Sequence, residues 1–466
     1  MNCWTVHVKN FGKIEEASVE VAPLTLFVGD NNSGKSYMMT LIYGLLTMDF
    51  LLDDYEIDED GDTYKHCCEI VKKMIAQENE HEYCLSLDQV RLFENLINEI
   101  IESNKDSFLL RLFNKEMSAQ KIEITFLDNC QMKFYISNYG YKPNLKKISV
   151  CPMKRGHEQD VVGYGARTDN FTEDGGGYSF FIKYIMQSML QGGIFDRQNR
   201  KCIYLPSART GFMLTYKTLI GNAMKEKFTL KKTCKNLLTK PTSDFLGELS
   251  SMDTSMEIRD YCNVYEFMEK RVIDGRIDVP GALTQDFLYT PVGEEQSLPL
   301  YVTSGVVTEM TPLILVLKYV DLTTLLIEEP EISLHPQLQW QIARVLIRLS
   351  NMGLPVFVTT HSDLILQHVN NMIKANEMKD KEAFLQASDY EKEDLLNRDN
   401  IRVYQFDVQE NYKTKIQQLS CGDYGFEAMT FYDTLEKMSN EIDQIEAGSK
   451  NVSRECTKEI GTFGCK

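Results

Sequence analysis

Residues 24–36 read Leu-Thr-Leu-Phe-Val-Gly-Asp-Asn-Asn-Ser-Gly-Lys-Ser, an apolar run that leads into a loop with two glycines. Positions 29–36 fit the pattern GxxxxGK[ST], in which backbone N–H groups between a strand and a helix converge on a phosphate. In that pattern Lys35 reaches the β- and γ-phosphates, and Ser36 offers its hydroxyl to Mg²⁺. The predicted nucleotide-binding residues of this loop are Gly29, Asp30, Asn31, Asn32, Ser33, Gly34, Lys35 and Ser36.

A second apolar run, at 322–327, ends in the acidic sequence Glu-Glu-Pro-Glu. Its composition predicts a strand buried on both faces, and the carboxyl end of such a strand lies at the ligand-binding edge of an α/β sheet. We expect Glu328 to hold Mg²⁺, directly or through water, and Glu329 to act as the general base on the attacking water. The alternative is an acidic loop that caps the next helix.

Two more segments extend the pattern. Residues 354–360 predict another buried strand, which ends at His361, where a sensor of the γ-phosphate would lie. Ser304 and Gly305 precede an apolar helix at 310–317 and predict an anion-binding helix start. The alternatives are a structural or solvated histidine and an ordinary serine N-cap.

The order of these elements resembles the head of ATP-binding-cassette (ABC-type) ATPases of the AAA family. It is most similar to the soluble branch that includes SMC, RecF, OLD-type and related prokaryotic defence ATPases. The segments that carry the resemblance are 8–14, 29–36, 303–305, 325–336 and 359–362, with 205–211 similar to a motif of the defence-associated members. Residues 303–306 depart from the pattern, because they read Thr-Ser-Gly-Val instead of Leu-Ser-Gly-Gly. Gln131 and Gln187 are equal candidates for the glutamine that usually links the metal to the second lobe.

The resemblance implies ATP and Mg²⁺ as cofactors and a reaction that converts ATP and water to ADP and phosphate. It implies catalytic roles for Lys35, Glu329 and His361. It also implies a dimer or higher homo-oligomer, in which Ser304 and Gly305 of one head contact the nucleotide held by the other head.

Three functions are compatible with this resemblance. The leading hypothesis is an antiphage defence ATPase that regulates a separate effector such as a nuclease, as in Septu-like systems. A RecF- or SMC-like ATPase of DNA repair or chromosome maintenance is the alternative, and a soluble transport-type cassette is the third. OLD-type nucleases continue into a nuclease domain, whereas no acidic metal cluster with room for such a domain follows this head in the sequence.

Composition agrees with a globular ATPase. The chain has 466 residues, 43% of them hydrophobic and 25% charged, and a net charge of −18. The sequence has neither a bilayer-length apolar stretch nor a signal-peptide pattern, so we expect a cytoplasmic protein with no membrane contact. Because the chain is acidic, any DNA contact requires a local basic patch, and 142–155 and 225–240 are candidates. Solvated helix faces are the alternative for both patches.

The sequence predicts an α/β fold, an ABC-type ATPase head with a mostly parallel central sheet, a peripheral antiparallel sheet and a helical insertion. The expected divisions are 1–48 (lobe I with the phosphate loop), 49–120 (helical insertion), 121–215 (remainder of lobe I), 216–298 (helical second lobe or insertion), 299–420 (signature, acidic strand and histidine) and 421–466 (C-terminal helical tail). Residues 121–137 alternate as an antiparallel hairpin would. Strand 401–407 is expected to be the one strand of the tail.

The tail helix is predicted to carry an apolar stripe of Leu435, Met438, Ile442 and Ile445. This stripe packs on the head or binds a protein partner, and the helical insertion is the other expected docking platform. Arg209 follows a predicted strand at 201–205, so it either contacts phosphate or a second protomer, or pairs with one of the many carboxylates.

Overall fold

The computed structural model describes residues 4–47, 56–76, 81–128, 132–138, 145–150, 164–167, 178–191, 200–228, 238–280, 286–428 and 439–445. The strands are β1 Trp4–Phe11, β2 Ile14–Glu20, β3 Leu24–Gly29, β4 His81–Cys84, β5 Lys121–Phe126, β6 Lys133–Asn138, β7 Leu145–Val150, β8 Tyr164–Arg167, β9 Lys201–Leu205, β10 Gly275–Asp278, β11 Leu288–Pro291, β12 Leu298–Pro299, β13 Leu322–Glu328, β14 Val356–Thr360, β15 Ile401–Val408 and β16 Thr414–Leu419. The helices are α1 Lys35–Thr47, α2 Asp62–Ile75, α3 Leu87–Phe113, α4 Tyr178–Leu190, α5 Arg209–Phe228, α6 Lys240–Ser251, α7 Cys262–Arg271, α8 Gly305–Tyr319, α9 Pro336–Asn351, α10 Asp363–Glu377 and α11 Lys381–Ala387.

Within the described residues, the main sheet has nine strands in the order β5-β1-β2-β16-β15-β3-β14-β13-β9. The five strands from β15 to β9 all run parallel to one another. Every residue of β3, β13 and β14 is buried, as expected for strands covered on both faces. β5, β1 and β2 form an antiparallel wing at the other side of the sheet. The predicted α/β class with a mostly parallel central sheet and an antiparallel periphery is confirmed.

The core lies on both faces of this sheet, because successive strand residues point in opposite directions. Phe27 and Leu326 belong to one hydrophobic cluster, together with residues of α1 to α4. Leu26, Leu325 and Ile327 belong to a second cluster, together with residues of α5 to α10. The parallel strands are therefore sandwiched between two helical layers, and their ends remain available for a site.

Two strand predictions are wrong. The predicted hairpin at 121–137 does not form, because β5 pairs with β1 in the main sheet whereas β6 pairs with β4 and β7 in a separate four-stranded sheet. Alternation identifies a half-buried strand but does not identify its partner. The tail contains a second strand as well, since β16 returns antiparallel to β15 and then pairs with β2.

The stretch predicted as a helical insertion, 49–120, contains α2 and α3 with the short strand β4 between them. An apolar face of α3 is buried, and Ser86 begins the helix with a capping box that includes Gln89. No helix among the described residues is long and apolar enough to cross a bilayer. The other small sheet, β10-β11-β12, lies in the stretch that leads to α8.

Candidate functional site

Three neighbouring parallel strands bring the predicted site residues together. β13, β14 and β3 are adjacent, and parallel strands end at the same edge of a sheet. The phosphate loop follows β3, His361 follows β14, and Glu328 and Glu329 lie at the end of β13. The edge therefore combines a phosphate-binding loop, two carboxylates and an imidazole.

The phosphate loop has the backbone that its glycines permit. Gly29 has a φ of +135°, Gly34 a φ of +96° and Asn32 a φ of +60°. Lys35 is 5% exposed. Its Nζ donates to the carbonyl oxygens of Gly29 at 2.9 Å and Asp30 at 2.7 Å, both within the loop. Burial lowers the pKa of Lys35 to about 8, although Glu329 and other carboxylates oppose this shift.

Glu328 has the environment of a metal ligand. It is 7% exposed, and its Oε1 is buried with no hydrogen-bond partner among the described residues. Burial raises the pKa of the Tyr204 hydroxyl of β9, and the nearby Glu328 carboxylate raises it further. Ser36 itself is exposed at the start of α1. An unsatisfied carboxylate oxygen and a hydroxyl are the hard ligands that Mg²⁺ prefers, so this donor set fits the ion.

Glu329 and His361 form a half-exposed pair. His361 Nε2 lies 3.7 Å from Glu329 Oε1. Burial lowers the pKa of His361, and the nearby Lys35 ammonium lowers it further, so the imidazole is neutral at pH 7. Glu329 has a φ of +44°, and its N–H donates to the Thr359 carbonyl at 2.8 Å. The Glu329 carboxylate therefore faces a neutral imidazole ring.

Glu331 is a site residue to which the sequence reasoning gave no role. Its Oε1 accepts from the His361 backbone N–H at 2.6 Å and from the Thr360 hydroxyl at 2.9 Å. Its Oε2 is buried without a hydrogen-bond partner in the described part of the chain, and burial raises the pKa of the carboxyl. Glu331 thus ties the acidic turn to the end of β14. The third acid of Glu-Glu-Pro-Glu was the signal that could have identified it.

Ser304 is the N-cap of α8, and its hydroxyl accepts from the Val307 N–H at 3.4 Å. A Cβ added at Gly305 would lie 3.7 Å from the Cβ of Ser333, which follows the acidic turn. The structure thus shows the ordinary N-cap and places the start of α8 beside that turn. A role of Ser304 and Gly305 toward a partner's nucleotide stays a prediction.

Arg209 pairs with a carboxylate, which was one of the two alternatives. Its side chain is fully buried, and its Nη2 lies 2.8 Å from Glu309 Oε1 of α8. The guanidinium also donates to the backbone carbonyls of Glu328 at 2.5 Å and Glu329 at 3.0 Å. Arg209 therefore contacts the backbone of the acidic turn from the protein interior. Sequence reasoning missed Glu309.

Other candidates lie away from this edge or outside the described residues. Gln187 lines a polar cavity of about 310 Å³ together with Thr47, the last residue of α1. At 1.5 Å per helical residue, Thr47 lies roughly 16 Å along α1 from Ser36. Gln187, which lies beside Thr47, therefore does not suit a metal-linking role. Gln131, Leu435 and Met438 lie outside the described residues, as do the basic side chains of both patches except Lys240.

The family of the chain follows from its sequence. The model of the family described as "AAA ATPase domain" matches residues 1–160 and 212–366, well over half of the chain. The chain therefore belongs to the AAA ATPase domain family. None of the curated proteins matches the chain.

Solved SMC heads are similar to the chain at low sequence identity. The SMC head domain from Thermotoga maritima is 11% identical, with 90% of this chain and 100% of that chain covered and a TM-score of 0.33. An SMC head bound to the C-winged helix domain of ScpA is also 11% identical. The match covers 89% of this chain and 97% of that chain, with a TM-score of 0.37. These TM-scores are low, and the fold class rests on the strand order of this chain itself.

Proposed function

We propose that the chain binds ATP with Mg²⁺ and hydrolyses it at the edge formed by β3, β14 and β13. The single observation that carries this proposal is the convergence of Lys35, Glu329 and His361 on that edge, with His361 3.7 Å from Glu329. The residues come from three separate segments of the chain. A buried lysine in a phosphate loop, a carboxylate and a neutral imidazole are together the functional groups that phosphoryl transfer to water uses.

Each residue then has a distinct task. Lys35 neutralises the β- and γ-phosphates with its positive charge. Its ammonium group is already positioned in the loop by hydrogen bonds to two loop carbonyl oxygens. Glu329 accepts the proton of the attacking water, and His361, being neutral, can donate one ring N–H to the γ-phosphate. Ser36 and Glu328 would hold Mg²⁺, which supplies charge neutralisation on the transferring phosphoryl group.

The proposed working form is a homodimer in which each nucleotide lies between two heads. Ser304 and Gly305 begin α8, a helix of 15 residues, and its N-terminal N–H groups suit an anion. In the two-fold dimer, this helix start would contact the γ-phosphate held by the partner's phosphate loop. Nucleotide binding would then close the dimer, and hydrolysis would release it.

We further propose that the dimer regulates a separate effector, such as a nuclease, in antiphage defence. The resemblance of 205–211 to a motif of the defence-associated ATPases supports this hypothesis, and 325–336 supports the soluble branch to which they belong. The tail offers a docking element, because Ile442 and Ile445 are 56% and 65% exposed on a short helical segment. Apolar side chains at such exposure suit contact with another protein.

The dimer is tested by light scattering of the Glu329→Gln variant with and without Mg-ATP. We expect a nucleotide-dependent dimer, and we expect Ser304→Arg to abolish it while the single head still binds ATP. A Glu329→Gln chain that binds ATP and stays monomeric contradicts the proposal.

The effector hypothesis needs co-purification with the products of the neighbouring genes. The chain with residues 422–466 should retain an effector that the shortened chain loses. If the chain purifies as a homodimer without any other protein and is fully active in cells, the proposed protein partner is ruled out. Turnover stimulated by DNA and suppressed by salt would favour the chromosome-maintenance alternative instead.

A further inference from the structure

The backbone of Glu329 is held in an unfavourable conformation. Its φ of +44° lies in the left-handed region, which a residue other than glycine rarely adopts. The next residue is Pro330, and the residue before a proline is normally extended. Two independent local preferences are therefore violated at the proposed general base. Such a conformation persists only where surrounding contacts impose it.

The surrounding contacts come from two sides. From β14, the Thr359 carbonyl accepts the N–H of Glu329 at 2.8 Å. From the interior, Arg209 donates to the carbonyl oxygens of both Glu328 and Glu329, so that the backbone on each side of Glu329 is fixed. The planar guanidinium has several donors in a rigid arrangement, which a lysine ammonium cannot reproduce.

Arg209 is itself held by α8. Glu309 Oε1 pairs with the guanidinium at 2.8 Å, and Glu309 Oε2 accepts from the backbone N–H and hydroxyl of Thr210 at 3.0 and 2.6 Å. Arg209 and Glu309 are 0% and 1% exposed, so the pair is shielded from water. One continuous set of charged contacts thus runs from α8, which begins just after Ser304, to the turn that carries Glu329.

We propose that Arg209 is the positioning residue of the acidic turn, which sets the direction of the Glu329 carboxylate and couples it to α8. Arg209 touches neither nucleotide nor water in this role. This inference rests on the proposed function, because it takes Glu329 as the base. A shift of α8 on contact with a partner's nucleotide would reach Glu329 through Glu309 and Arg209.

The test is a double-mutant cycle between Arg209→Lys and Glu329→Gln, read by single-turnover ATP hydrolysis and by ATP affinity. We expect Arg209→Lys to lower kcat about a hundredfold with ATP affinity retained, since a misplacement near 1 Å has this effect. In the Glu329→Gln background, Arg209→Lys should cause no further loss, because the base on which it acts is already absent.

A merely structural role gives a different result. The same fractional loss in both backgrounds, or a loss confined to ATP affinity, overturns the role of Arg209. A wild-type rate in the single Glu329→Gln variant refutes the proposed base instead, so the two failures are distinguishable. Lys318→Met is the matched control, because it breaks another ion pair of α8, between the buried Lys318 and the partly buried Glu269 at 2.6 Å. It should destabilise the fold and leave the kcat of the folded protein unchanged.

A second variant protects the test against misfolding. Arg209→Lys leaves a buried carboxylate with an imperfect partner, which is destabilising. The double variant Arg209→Met with Glu309→Met removes both charges together, and apolar replacement of a whole buried pair is usually tolerated. This double variant lacks the N–H groups that donate to the carbonyl oxygens of Glu328 and Glu329. The same fall in kcat with retained ATP affinity is therefore expected. A wild-type kcat in this folded variant overturns the proposal.

Discussion

Gly29→Ala tests whether the backbone of the phosphate loop is held rigidly against the neighbouring strand of the main sheet. Gly29 is the last residue of β3 and the first of the loop, and it pairs with Phe406 of the neighbouring strand β15. A Cβ at this position would lie 2.5 Å from the carbonyl oxygen of Phe406 and 3.2 Å from its carbonyl carbon. Because these are backbone atoms of a paired strand, they cannot rotate away.

The expected loss of stability has two parts. A non-glycine residue at a φ of +135° is strained by about 1–3 kcal/mol. Forcing β15 away from β3 adds an overpacking penalty of about 1–3 kcal/mol. Gly34→Ala is the matched control, because its φ of +96° is also strained while its nearest contact, Ile14 Cγ1, lies at an ordinary 3.4 Å. We therefore expect Gly29→Ala to lose about 2–6 kcal/mol and Gly34→Ala about 1–3 kcal/mol.

Urea unfolding followed by tryptophan fluorescence measures this difference. Trp4 is fully buried in β1 of the main sheet, whereas Trp340 is 48% exposed. In a Trp340→Phe background the emission reports the sheet alone, since the chain has two tryptophans. If Gly29→Ala shifts the urea midpoint no more than Gly34→Ala does, the close approach to Phe406 is not rigid and the reasoning is refuted.

Three further predictions concern ionisable groups. Above about pH 8, Lys35 of the nucleotide-free protein loses its proton, so ATP affinity should fall by about tenfold per pH unit. ATP binding should then take up a proton, which calorimetry in buffers of different ionisation enthalpy measures. Asp394 is fully buried between two arginines of α9, so Asp394→Asn should lose about 3–5 kcal/mol of unfolding free energy, against less than about 1 kcal/mol for the exposed Asp389→Asn. The pKa of Glu331 is raised by burial, so its ionisation destabilises the fold as pH rises through the folded pKa. Glu331→Gln should therefore raise the melting temperature more at pH 8 than at pH 5, and an equal change at both pH values contradicts the buried carboxylate.

The sequence was most informative where local pattern and chemistry coincide. The phosphate loop at 29–36 and the two buried strands at 322–328 and 356–360 were predictable, because a short run of aliphatic, aromatic and β-branched residues that ends in a polar group is typical of a strand covered on both faces. Their proximity also followed, since parallel strands share an edge.

Long-range partners were not predictable from the same patterns. Strand β5 alternates correctly, yet it pairs with β1, which is more than 100 positions earlier in the chain. The sequence suggests a carboxylate as one possible partner of Arg209, but it does not identify Glu309, because only the fold brings the two residues together in the interior. Glu331 could be seen but not assigned, because its role depends on backbone and hydroxyl donors at the end of β14.

The most direct test of the account is the rate of Mg-ATP hydrolysis by the wild-type chain, Glu329→Gln and Lys35→Ala, with ATP affinity measured in parallel. The account predicts hydrolysis by the wild type, and a rate about 10²–10⁴-fold lower in Glu329→Gln with ATP affinity retained, because a general base contributes on this scale. Lys35→Ala should lose ATP binding itself. A wild-type chain without hydrolysis, or a Glu329→Gln chain that turns over at the wild-type rate, contradicts the account.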